Sequence, residues 1–197
     1  MFTQRRRGRW SVVSPAVDGW LDLHATARRA GAARWLDARL FEIVGGWVAA
    51  VPEPEVKIAL AAQASHHGWH ATLWGERLPT LHGVEPASWV GPPSAGVERA
   101  VELLGAASGT VERLAGLHRA LLPRLAAAHA SHLESASPVA DAPTIRTLRL
   151  VLRDEVEDQQ AGERLLQGLL GAAADERAAA QQAAVESLLA EAGPLLG

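Results

Sequence analysis

Three histidines fall within five residues, in the run His66-His67-Gly68-Trp69-His70. His66 and His70 are four apart, so on a helix their imidazoles stack one turn above another and can address one metal ion from one face. Ala59, Ala62, Gln63 and Leu73 share that face, and His67 flanks it. A second polar group interrupts another apolar stripe. Leu148, Val151, Leu152, Gly162, Leu166 and Leu169 lie on one side of a helix at 3.6-residue periodicity, with Glu155 and Gln159 near its middle and Asp158 at its edge. A carboxylate facing a helical core must be neutralised. Glu155 therefore pairs with an Arg of another helix or binds a metal, and the sequence leaves both open. His118 falls among Leu104, Val111, Leu114, Leu122 and Leu125, with His129 and His132 on the same stripe but towards a loop, where partial exposure is expected.

The elements that must carry these residues read as helices punctuated by proline. Asp18 caps a helix that starts at Trp20, and Gly31 weakens its register before a more apolar helix over 32–51. Pro52-Glu53-Pro54 ends that helix and starts a second over 55–78, since proline suits a first turn but not an interior. Residues 79–93, rich in Gly and Pro, form a long connection. A third helix runs from Ser94 to Ser135, bent near Pro123, and a fourth covers 144–170. An Ala-rich helix over 175–192 closes the chain. No period-two run of β-branched residues marks a strand. The fold expected is all-α: two long antiparallel hairpins joined by a crossover between helices two and three, with flanking N- and C-terminal helices. Residues 1–15 are expected as a solvated arm and 16–197 as one helical domain. Folding the first hairpin at Pro52 brings Glu42 level with Gln63 and His66, and folding the second brings His118 near Asp158.

Composition narrows the chemistry. The 197 residues contain no Cys and no Tyr, which excludes disulfides, thiolate metal sites and cysteine nucleophiles. Any metal must be held by imidazole and oxygen ligands, and eight His are present to supply them. A net charge of −3 gives no electrostatic reason to expect nucleic acid. No apolar run approaches the ~20 residues of a membrane span, so a cytoplasmic protein is expected. No Gly-rich phosphate loop follows a strand.

The helix containing His66-His67-Gly68-Trp69-His70 resembles the second helix of ferritin-like proteins, and Asp154-Glu155-Val156-Glu157-Asp158 resembles their Asp-Glu-x-x-His signature. The likeness covers about residues 36–170. It implies a ferritin-like four-helix bundle holding iron or manganese, with Glu42, Gln63, His66, Glu155 and Asp158 at the family's ligand positions. Convergence at similar bundle depth gives Glu42, His66, His70, His118, Glu155 and Asp158 as candidate ligands, with Gln63, His67 and Gln159 around them. Gln63 stands where the family has Glu, and Asp158 where it has His. Two functions follow as expectations. One is a metalloprotein, expected as a homodimer, with oxidoreductase chemistry. The other is a metal-free bundle that serves as a binding or oligomerisation module.

Overall fold

The computed structural model describes residues 19–197. Among them there is no strand, only one isolated antiparallel bridge between Leu81 and Val84. The first helix, α1 (Leu23–Ala50), begins where the Asp22 carboxylate accepts the Ala25 N–H at 2.7 Å, satisfying one of the unpaired donors of the first turn. Asp18 and the expected arm over 1–15 lie outside the described residues. The break expected at Gly31 does not occur: α1 is continuous, and the glycine serves packing instead. A Cβ there would collide with the backbone carbonyl of Trp89, so Gly31 lets a neighbouring segment approach the helix at backbone distance.

Pro54 occupies the first turn of α2 (Pro54–Gly75), which folds back antiparallel on α1. The connection to the next long helix contains a 3-10 turn, Pro86–Trp89, that packs onto α1. Helix three departs from expectation. It is divided into α3 (Ala95–Gly105), α4 (Thr110–Ala115), a π-helical turn (Gly116–Leu121) and α5 (Leu122–Ser135). Ala106 to Gly109 separate α3 from α4. Near Pro123, where a bend is expected, the helix runs on from the π turn into α5, the π turn ending two residues before the proline that lacks an N–H donor. α6 (Ala142–Leu169) packs against both α5 and α2, and α7 (Ala172–Ala192) lies on α3, α4 and the π turn.

The apolar core runs through all of these. Leu36, Leu40, Leu60, Leu104, Leu121, Leu148 and Leu166 are fully enclosed. Inside it lies an unusual quantity of polar surface: Asp37, Gln63, His67, His70, His118, His129, His132, Asp154, Glu155 and Asp158 are all buried. Buried ionisable groups persist only when paired, hydrogen-bonded or ligating, so each of these needs a partner.

Candidate metal centre

α1 contributes Asp37, which sits in the stripe Ala30, Ala33, Asp37, Leu40, Val44 and Trp47, all buried. α2 runs alongside and presents Gln63, His67, His70 and Trp74 to the interior at spacings of three and four. His67 Nδ1–H donates to Asp37 Oδ1 at 2.8 Å, between side chains only 2% and 1% exposed. His70 Nε2–H donates to Asp154 Oδ2 at 3.1 Å. This bond orients the His70 ring and turns its other nitrogen, Nδ1, towards the Asp37 carboxylate. Nδ1 stands 3.9 Å from Asp37 Oδ1, too far for a hydrogen bond.

That geometry leaves Asp37 Oδ2, His67 Nε2 and His70 Nδ1 buried without partners. Ligand atoms of Asp37, His67 and His70 all lie within 4.8 Å of one another, so the three could hold a metal ion. Two ligands bound at about 2.1 Å to one ion lie roughly 3.0 to 3.4 Å apart at right or tetrahedral angles. A contraction of about half an ångström would bring His70 and Asp37 into that range. Asp154 completes the familiar carboxylate–histidine support, in which the second nitrogen of a ligating imidazole is held by an acid.

Around this trio the remaining groups form separate pairs. His66 Nδ1–H donates to Asp158 Oδ2 at 2.8 Å, and its ring stacks on His70 with centroids 6.3 Å apart. His66–Asp158 and His70–Asp154 are thus two rungs, one helical turn apart, between antiparallel α2 and α6. Gln63 Nε2–H donates to the Asp158 carbonyl at 3.1 Å and turns its Oε1 to His118 Nε2 at 3.0 Å. The other His118 nitrogen faces the Leu114 carbonyl at 3.0 Å. Burial drives the His118 pKa down to about 4, against the pull of that carbonyl, so at neutral pH one proton serves two oxygens. Gln159 Nε2–H reaches the His118 carbonyl at 3.3 Å.

Glu155 is neutralised by neither an Arg nor the Asp37 trio. His129 Nδ1–H points at both of its oxygens, at 3.0 and 3.1 Å. Burial pushes the His129 pKa down, but the Glu155 charge and hydrogen bond, aided by Asp37, outweigh it and raise the value above that of a free imidazole. Trp74 stacks on this ring at 5.2 Å and on His132 at 6.4 Å. His132 has no hydrogen-bond partner, and burial next to Arg29 lowers its pKa to about 4.

Several expected positions are thereby corrected. Glu42 is on the surface, ion-paired to Arg39 one turn away, because it projects from α1 on the side opposite to the stripe that includes Asp37. His129 and His132 are fully enclosed rather than partly exposed, since Trp74 covers both. His67 belongs to the centre itself and His66 to its edge, so the interior face of α2 is rotated about one residue from the expected one. Asp37, Asp154 and His129 were not anticipated as members. An acid at i+4 from Ala33 and i−3 from Leu40, inside an apolar stripe, was the signal for Asp37. No family model, curated protein or solved structure matches this chain.

Proposed function

We propose that this chain is a ferritin-like metalloprotein whose metal, iron or manganese, is held by Asp37, His67 and His70. The observation that carries this reading is His70 Nδ1: enclosed, without a hydrogen-bond partner, and 3.9 Å from the Asp37 carboxylate while Asp154 holds the other ring nitrogen. Two imidazoles and one carboxylate are the donor set of mononuclear non-haem iron sites that keep coordination positions open. A metal bound there would supply one-electron redox chemistry and polarisation of a ligand, the basis of an oxidoreductase activity. The chain's own part is to hold the donors. Asp154 orients His70, Asp37 accepts from His67 until a cation displaces that proton, and the burial of all three side chains limits water at the trio. The pairing of α1 with α2 and of α5 with α6, with α2 against α6, supports the four-helix arrangement in which such proteins present ligands inward.

Metal analysis of protein purified without a His tag, followed by anaerobic loading with Fe²⁺ or Mn²⁺, tests the reading. One equivalent is expected, lost in His70→Ala and Asp37→Asn, with Asp154→Asn weakening affinity about 10- to 100-fold. Protein that stays metal-free after loading overturns it. Two observations favour the alternative of a metal-free module: Glu155 is already balanced by His129, and Phe41, Ile58 and Trp69 are exposed apolar side chains. In that case the loading experiment fails while the His129–Glu155 pair remains intact.

A further inference from the structure

Asp37, His67 and His70 are at most 2% exposed, so an ion can reach them only past another group. Four surface cavities, of about 270 to 570 Å³, do not lead there. The one of about 570 Å³ is lined by Trp69, Leu73, Arg77, Pro143, Arg146 and neighbours, and those at Arg29, Trp89 and Trp35 are likewise lined by residues outside the trio. One member of the polar cluster does meet solvent: the His66 side chain is 38% exposed, and its partner Asp158 is 11% exposed.

We infer that His66 and Asp158 form an outer capture site through which a divalent transition-metal ion passes to the buried centre; this rests on the metal reading above. Asp158 engages His66 Nδ1 and leaves Nε2 as the nitrogen free to take an ion from solvent. The next rung inward repeats the chemistry one turn away, where His70 is set against Asp154 and its ring lies nearly parallel to that of His66, with 22° between planes. Asp158 places a carboxylate beside this path that attracts cations, while the second acid, Asp154 four residues away on α6, is shared between His70 and the exposed Arg153 guanidinium at 3.3 Å. The unpartnered His70 Nδ1 is the acceptor at its inner end. An ion handed from imidazole to imidazole never sheds its water into apolar surroundings without a replacement ligand, which is the step burial otherwise makes slow.

A capture site differs from a resident ligand in its kinetic signature. Loss of a route slows arrival and departure equally and leaves affinity unchanged, whereas loss of a ligand raises the dissociation constant. Apo protein is mixed with Co²⁺ in a stopped-flow spectrometer, and release is followed by an EDTA chase. His66→Ala is expected to lower both rates on the order of tenfold or more, the scale of electrostatic and funnel effects on association, with Kd within about twofold. Asp158→Asn should act in the same direction. Rates unchanged or faster in His66→Ala overturn the route, and a raised Kd with unchanged association overturns it by making His66 a resident ligand. Wild-type protein that never develops a Co²⁺ band at equilibrium, a band His70→Ala should abolish, overturns the metal reading and the route together. That equilibrium measurement separates the two failures.

Discussion

Replacing Gly162 with Ala probes how tightly the interior polar groups are packed between α6 and the π turn. A Cβ on Gly162 would fall on the Cδ2, Nε2 and Cε1 atoms of the His118 ring. His118 is fully enclosed and held on both sides, by the Leu114 carbonyl and by Gln63, so it has nowhere to retreat. Overpacking of this kind costs about 1 to 3 kcal/mol. Displacing the ring also disturbs the hydrogen bond made by its single proton, contributing about 1 kcal/mol net. Against this, Ala is favoured over Gly in a helix interior by about 1 kcal/mol. The balance is a loss of roughly 2 kcal/mol, or about 4 to 8 °C in Tm for a chain of this size. Gly46→Ala is the matched control, for it lies within α1, is exposed, and has nothing within 4 Å of the added carbon. It should gain about 0.5 to 1 kcal/mol by the same propensity term. Paired calorimetric scans of the two variants therefore should move in opposite directions. A Gly162→Ala protein as stable as wild type would refute the close seating of His118 against α6.

Further outcomes follow from the same pairs. Glu155→Leu strands His129 without its counter-charge and should cost about 3 to 5 kcal/mol in urea unfolding, while adding His129→Phe should recover at least half; strict additivity would sink the pairing. His132, with its folded pKa lowered to about 4 from 6.5, favours the unfolded state as pH falls from 6.5 towards 4, so its contribution is whole above pH 6.5 and lost below. At pH 5 that loss is roughly 2 kcal/mol, and His132→Phe should flatten this part of the stability profile. The raised His129 acts with the opposite sign: its pairing with Glu155 is fully present below pH 6.5 and weakens as pH climbs through the folded pKa. Arg119→Ala, by contrast, removes a partly exposed two-bond pair with Glu163 and should change stability by only about 1 kcal/mol.

The helical class was legible because proline, glycine and 3.6-residue periodicity punctuate the chain in the same places. The α1–α2 turn at Pro52 to Pro54 and the loop before α6 fall where those residues put them. The interruption between α3 and α4 and the π turn were not legible. Neither has a proline, and the π turn is buried on many sides because α7 covers it, which blurs any apolar stripe. The candidate site was legible in kind and displaced in detail. Histidines on α2 and acids on α6 do meet, but a helical wheel errs by one position near a stripe boundary, which was enough to exchange His66 for His67. Glu42 was placed by depth alone. Depth says nothing about direction, and the acid that α1 turns inward is Asp37, five residues earlier.

The two rungs between α2 and α6 carry an ambiguity of register. His66 and His70 repeat at four residues, and so do Asp154 and Asp158, so sliding one helix past the other by a single turn would still pair His70 with Asp158. That slide of about 6 Å keeps one rung of the two and strands His66 and Asp154, so the ladder favours the native register by a single pair. Two asymmetric contacts add to it: Gln63 caught on the Asp158 carbonyl, and the His118 ring seated in the notch at Gly162. A repeated polar pattern gives the interface its chemistry, and one non-repeating glycine helps specify which of its alignments is the native one.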